Sequence, residues 1–273
     1  MASYTIEQLD VQQDIGRRAY QEDYFYADSI NDRFFIALVC DGHGGAKAAR
    51  FLSLAFRESA QIMFKTSLNI LDIPLVLTRF VDLLGPRFEM LYPGASDGTT
   101  LCGVVVDLYE GVATTFNLGD SQAIVYNKRS PLSIISVTKP DTTDDPEERM
   151  RLARLGFPCQ RDSDGTWRLY ELNMTRAFGD YGQNKLNTAL NDTRGRTPRV
   201  ETIDLKVART GVLVASDGLF DVIEATQANL NIFQKNNAKD LIDLANAGPK
   251  GDNITVIKFE IKRLSDKAKR NTL

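Results

Sequence analysis

A chain of 273 residues with 43% hydrophobic and 25% charged side chains can bury a sizeable core, which excludes a disordered or fibrous protein. Its net charge of −3 gives no basic footprint for nucleic acid, and no apolar run approaches the length of a membrane span. The three cysteines, Cys40, Cys102 and Cys159, have no metal spacing and form no disulfide framework, which favours a reducing compartment.

In chain order, the segment up to about Cys40 reads as strands. Tyr24-Phe25-Tyr26 and Phe34–Cys40 are rich in aromatic and apolar residues, with a turn signal at Ser29-Ile30-Asn31-Asp32 between them. Ala48, Ala49, Leu52, Ala55, Phe56 and Met63 then recur at helical spacing. A second helix is expected over 73–91, with Val76, Phe80, Leu83 and Leu84 on one face and a break or kink at Gly85-Pro86.

From Thr99 the pattern changes to strands at Leu101–Val106, Val112–Asn117, Gln122–Tyr126 and Leu132–Val137. Their short turns fit antiparallel pairing, because parallel pairs need long crossovers. Pro146 followed by Glu147-Glu148 opens a short helix. Residues 156–200 are polar and poorly periodic. Strand character returns at Val200–Leu205, Gly211–Ala215 and Asn253–Ile261, with a helix over 238–246. The tail from Lys262-Arg263 to Lys267, Lys269 and Arg270 reads as a solvated terminus. This order implies an α+β sandwich of stacked antiparallel sheets with helices outside.

Five acidic sites stand at the ends of these apolar runs. Asp41 follows Ile36-Ala37-Leu38-Val39-Cys40, Asp120 follows Leu118-Gly119, and Asp217 follows Val214-Ala215-Ser216. Asp252 precedes Asn253-Ile254, and Glu22-Asp23 precede Tyr24. A single Asp-Gly is ordinarily a turn, and Asp97-Gly98 and Asp164-Gly165 read that way. Several carboxylates gathered at one sheet end would repel each other unless a cation neutralised them. Oxygen ligands suit Mg²⁺ or Mn²⁺, while one histidine and no clustered cysteines disfavour zinc. That histidine, His43, lies in Asp41-Gly42-His43-Gly44-Gly45, where an imidazole could move a proton at neutral pH. Arg18, four residues before Glu22, is either a surface cation or a phosphate clamp.

The motifs Arg18…Glu22-Asp23, Asp41-Gly42-His43-Gly44-Gly45, Gly98-Thr99-Thr100, Asn117-Leu118-Gly119-Asp120-Ser121, Lys139-Pro140, Glu148-Arg149-Met150, Thr175–Asp180, Ala215–Asp221 and Gly251–Thr255 follow one another along the chain. Taken together they resemble the type 2C metal-dependent protein serine/threonine phosphatases. The resemblance implies a four-layer αββα sandwich with a dinuclear metal site at one end, a single catalytic domain over 1–273 and a flap-like subdomain at about 140–200. It implies that Asp41 bridges two Mg²⁺ or Mn²⁺ ions, that Asp217 and Asp252 complete one, and that Glu22 and the Gly42 carbonyl complete the other. Asp120 and Asp221 match positions of a weaker third ion, and Asp23 and Asn253 would support the ligands from behind. Arg18 would hold the substrate phosphate, and His43 would be the general acid in phosphoserine or phosphothreonine hydrolysis without a covalent intermediate.

Partners would be phosphorylated proteins, not nucleic acid or membrane. A monomer in the cytoplasm is expected, with the nucleus left open. Thr138 stands where many relatives have His, and Gly156-Phe157 stands where they have paired glycines, so substrate selection stays open. Two other readings also stay open: a binding module without turnover, and a small-molecule phosphohydrolase with the same metal chemistry.

Overall fold

The computed structural model describes residues 3–66, 68–69, 72–170, 172–182 and 197–265. Residues 183–196 of the expected flap and the expected basic tail at Lys267, Lys269 and Arg270 lie outside the described residues.

Two five-stranded antiparallel sheets carry the molecule. One has the order β1 (Tyr4–Asp14), β15 (Ile254–Arg263), β14 (Arg209–Ala215), β8 (Gln122–Asn127), β9 (Ser133–Val137). The other has the order β13 (Arg199–Asp204), β7 (Val112–Leu118), β6 (Leu101–Asp107), β3 (Phe34–Cys40), β2 (Tyr24–Ser29). A three-stranded ribbon joins β12 (Phe178–Gly179), β5 (Gly98–Thr99) and β4 (Gly42–His43).

The alternation of side chains along a strand builds the layers. In β3, Phe35, Ala37 and Val39 enter the core between the sheets, against Val212, Val214 and Phe259. Phe34, Ile36, Leu38 and Cys40 point the other way, into a core with Phe56 and Phe88 of the outer helices α1 (Lys47–Met63) and α2 (Ile73–Leu91). A strand covered on both faces must be apolar throughout, and all seven residues of β3 are buried. On the far side, Ile124, Leu213 and Val256 pack against the helices Leu230–Lys235 and Ala238–Asn246. The result is the expected four-layer αββα sandwich.

Three expectations are corrected. Helix α2 runs through Pro86 without breaking. Pro86 and Asp82, whose carbonyl loses its donor, both lie on the exposed side of the helix, where water can satisfy that carbonyl. The buried stripe of α2 is Ile73, Leu77, Val81, Leu84 and Phe88, while Leu83 is 73% exposed. Apolar residues on α2 outnumber the positions that the sheet can cover, so the stripe could be drawn in more than one register. Strand β2, expected to be buried, is an edge strand, half-buried at Tyr24, Tyr26 and Ala27 and exposed at Phe25, Asp28 and Ser29.

The segment expected to be a flap contains α3 (Pro146–Arg154), capped by Asp145, whose carboxylate accepts the Glu147 N–H. It continues through the hairpin of β10 (Gln160–Arg161) and β11 (Trp167–Arg168). Its own small core is Leu152, Leu169, Met174 and Ala177. Glu148, on the inner face of α3, is 2% exposed. Its carboxylate accepts Arg176 at 2.6 Å, Arg199 at 2.8 Å and Arg151 at 3.0 Å.

Burial opposes ionisation of Glu148, but Arg176 and Arg151 outweigh it and hold the carboxyl down at about 2. A depressed carboxyl stabilises the folded state above the unfolded value of 4.5, and this is lost as pH falls from there towards 2. Glu148→Gln should therefore lower the melting temperature at pH 7 and flatten its decline between pH 4.5 and 2. Thermal unfolding across that range checks this, and parallel wild-type and variant curves would contradict it.

Candidate active site

Antiparallel alternation explains why the acidic residues meet. β3 and β7 run in the same direction, each one step from β6, so Asp41 and Asp120 emerge at the same end. β2 runs against β3, so Glu22 and Asp23 precede it at that end too. In the facing sheet, β14 finishes and β15 starts there, which adds Asp217 and Asp252. All of them except Asp23 line one cleft of about 800 Å³ at the end of the sandwich. Asp221, Arg18, Gly42 and His43 line it as well, and Asp144, Asp164 and Arg168 border one side.

Crowding shows in the proton affinities. Asp41 is held well above the usual carboxylate range by burial, then by the charges of Asp23, Asp217 and Asp120. Asp217 is held well above it by burial and by Asp120, and it is close enough to Asp41 to share a proton. Burial pushes Asp120 up to about 6 and Asp23 up to about 6. Among the described residues, no three acidic, histidine or cysteine side chains already close on one point at metal-ligand spacing. The set is nonetheless hard oxygen donors whose mutual repulsion a divalent cation would relieve, so the residues fit Mg²⁺ or Mn²⁺.

The backbone around these acids is tied down. The Asp41 N–H donates to the Thr100 hydroxyl at 3.0 Å, and its carbonyl accepts the Thr100 N–H at 2.9 Å. Asn253 accepts the Glu22 N–H at 2.8 Å and donates to the carbonyls of Ile15 and Tyr20, so it organises the loop that carries Arg18. Asp23 is 1% exposed and accepts the Thr255 hydroxyl at 2.8 Å, while its Oδ1 has no partner. A Cβ at position 42 would lie 2.4 Å from the Glu22 carbonyl oxygen, so only glycine lets these two segments touch.

His43 is set by the ribbon. β4 pairs with β5 and β5 with β12, and this brings Asp180, just past β12, to 3.0 Å from His43 Nε2. A Cβ on Gly98 would fall 2.5 Å from Nε2 and 2.2 Å from the Asp180 carboxylate, so that glycine keeps the contact open. Asp180 is fully buried and takes φ +60°. Burial by itself would depress the imidazole pKa, but the Asp180 hydrogen bond and charge, helped by Asp120 and Glu22, raise it above the ordinary 6.5. His43 Nδ1 has no protein partner.

Two exposed cations sit on the rim. Arg18 Nη2 lies 2.6 Å from Asp252, and Lys250 Nζ lies 3.1 Å from Asp221.

The family model for protein phosphatase 2C matches residues 19–247, which is most of the chain. The chain belongs to the protein phosphatase 2C family. Probable protein phosphatase 2C 74 of Oryza sativa subsp. japonica is 26% identical over 82% of this chain and 57% of its own. Protein phosphatase 1F of Mus musculus is 28% identical over 88% of this chain and 51% of its own. The chain thus spans about half to two thirds of the length of the first curated relatives it matches. In fold it is similar to the serine-threonine phosphatase 2C of Toxoplasma gondii, with a TM-score of 0.70, 21% identity and coverage of 95% and 96% of the two chains. It is also similar to the PstP catalytic domain in complex with two manganese ions, with a TM-score of 0.63, 21% identity and coverage of 94% and 99%.

In this 2C-family chain, sequence reasoning missed the parts played by four residues in and around the site. Asp180 falls inside one of the motifs but had no role there, although its place after Phe178-Gly179 repeats the acid-after-strand pattern. Asp97, read as a turn residue, accepts the Ala48 N–H at 2.8 Å and caps α1 from a distance. Asp164 does lie in a turn, between β10 and β11, yet it also borders the cleft. Lys250 had no sequence signal.

Proposed function

We propose that this chain is a metal-dependent protein phosphatase that hydrolyses phosphoserine and phosphothreonine in proteins without a covalent intermediate. The observation that carries this reading is the set of crowded, proton-hungry carboxylates around Asp41 in a cleft that also holds a histidine with a raised pKa.

Asp41, Asp217 and Asp252, with Glu22 and the Gly42 carbonyl, would hold two Mg²⁺ or Mn²⁺ ions. Asp120 and Asp221 are the donors available to a third, and there Lys250 already competes for Asp221. Bound divalent ions supply Lewis acidity, neutralise phosphoryl charge and lower the pKa of the attacking water. His43 does the remaining proton work. Its Nε2 is engaged by Asp180, which keeps the imidazole protonated and so able to give a proton to the departing serine or threonine oxygen. Arg18 can release Asp252 and present its guanidinium to the phosphate. Asp23 and Asn253 hold the ligand-bearing segments, and residues 140–200 serve as the flap that meets protein substrates. The three cysteines are all unpaired, in keeping with a reducing, cytoplasmic location. Among the described residues, no helix is long and apolar enough to cross a membrane.

The test is hydrolysis of a phosphothreonine peptide with EDTA, Mg²⁺ or Mn²⁺, beside an Asp217→Asn variant. Turnover that needs the metal and falls by at least about a thousandfold in the variant is expected. Metal-independent turnover, or none on any phosphoester by folded protein, would overturn the reading.

A further inference from the structure

The charged cluster around Glu148 does not reach the cleft. Glu148, Asp141, Arg176 and Arg199 are all absent from its lining, so none of them can touch a substrate phosphate there. Yet the cluster is bonded directly to the backbone on both sides of the site.

Asp141 is the pivot, and it is fully buried. Its Oδ2 accepts the Gly119 N–H at 3.1 Å, and its own N–H donates to the Gly119 carbonyl at 2.8 Å. The residue before Asp120 is therefore gripped at both of its backbone polar groups. Asn117 reinforces the grip by donating to the same carbonyl at 2.8 Å. On its other side, the Asp141 carbonyl accepts the Thr175 N–H at 2.9 Å. Thr175 opens the short run through β12 to Asp180, the partner of His43.

The charges lock this pivot to the flap. Asp141 Oδ1 accepts Arg199 Nε at 2.7 Å and lies 3.3 Å from Arg176 Nε. The same two arginines reach Glu148 of α3 at 2.8 and 2.6 Å. Each arginine thus spans two acids, a task suited to a planar fork with several donors. Buried acids of this kind stay ionised and in place only while their cations remain.

We propose that the Glu148–Arg176–Asp141–Arg199 cluster is a positioning device for catalysis: it fixes the turn that carries Asp120 and the segment that carries Asp180, and so makes the flap part of the catalytic geometry. This rests on the phosphatase reading above. The effect travels through Gly119 and Thr175, so losing it should lower kcat while leaving peptide binding largely intact.

Arg199 is the member to change, because its side chain is 36% exposed and lies at the edge of the cluster. Arg199→Met and Arg199→Lys should be compared with wild type for kcat and KM on a phosphothreonine peptide at saturating Mn²⁺. Amide exchange should be followed in 117–122 and 175–182, with β3 as the reference for global stability. In Arg199→Met, kcat should fall about tenfold or more with KM within about twofold, since small misplacements are costly in turnover. Exchange should rise in the two site segments while β3 stays protected. Arg199→Lys should fall between, because one ammonium cannot bridge both acids.

A kcat within about twofold of wild type in Arg199→Met would overturn the proposal, as would a rise confined to KM, or exchange that increases equally in β3. If Arg199→Met does not fold, Arg199→Lys carries the same test. A wild-type protein that turns over nothing would sink the phosphatase reading instead, and the exchange data would still judge whether the cluster holds the two segments.

Discussion

Replacing Asp41 with Asn is expected to remove metal-dependent turnover while stabilising the protein in EDTA. The carboxylate stands among Asp23, Asp217 and Asp120, and burial with these charges raises its pKa well above 3.8. The sign follows from linkage. A carboxyl whose folded pKa is raised binds more protons folded than unfolded, so stability falls as pH climbs from about 4 through the folded value. At pH 7 the ionised form is a burden, and the isosteric amide lacks it. In EDTA, the Asp41→Asn variant should melt higher than wild type at pH 7, and the difference should close near pH 4. Saturating Mn²⁺ should reverse the order, because binding to the folded state alone stabilises in proportion to affinity and the variant has lost its central ligand. Turnover should drop by at least on the order of 10³-fold, the several kcal/mol that a bound cation contributes to the transition state. Melting curves with and without Mn²⁺ check the stability half. A variant less stable than wild type in EDTA at pH 7 would mean that the crowding is not repulsive. Such opposition between stability and activity is common where a site gathers like charges.

The second large effect belongs to Asp180→Asn. Asp180 keeps the His43 proton on by hydrogen bond and charge, against the pull of burial. With the amide, burial goes unopposed by that charge and the imidazole pKa falls. A general acid must be protonated to act, so the alkaline limb of kcat should move to lower pH. At neutral pH, turnover of a phosphothreonine peptide should fall by about 10²-fold, within the usual range for general acid catalysis. Turnover of p-nitrophenyl phosphate should fall only severalfold, because its leaving group needs little proton help. The comparison of the two substrates across pH is the measurement. Equal losses on both, with an unmoved limb, would show that Asp180 holds the ribbon and not the proton.

These two residues mark what could be read before the fold was known. Asp41 was legible because Phe34–Cys40 is an unbroken apolar run, which only a strand covered on both faces requires, and the chain turns polar and glycine-rich directly after it. The same logic found Asp120, Asp217, Asp252 and Glu22. Strand limits were readable to within one or two residues along β6, β7, β8 and β14, since alternation and turn chemistry act over a few residues. The face of α2 was not readable to the same degree. Its apolar residues fill more than one stripe, and only packing against the sheet chose Leu77, Val81 and Leu84 over Leu83.

The pairing of His43 with Asp180 spans 137 positions, and Asp141, which holds the Gly119 backbone, is paired with arginines from two other segments. No local pattern announces such contacts, because a charged side chain looks the same in sequence whether water or a buried partner satisfies it. The sequence by itself determined which segments become strands and helices and which acids stand at their ends, for burial periodicity is a property of each segment alone. The tertiary structure decided which acids share the cleft, which nitrogen of His43 is engaged and which arginines meet Asp141 and Glu148. Those depend on strand direction and on desolvation by distant residues, which exist only once the two sheets have packed.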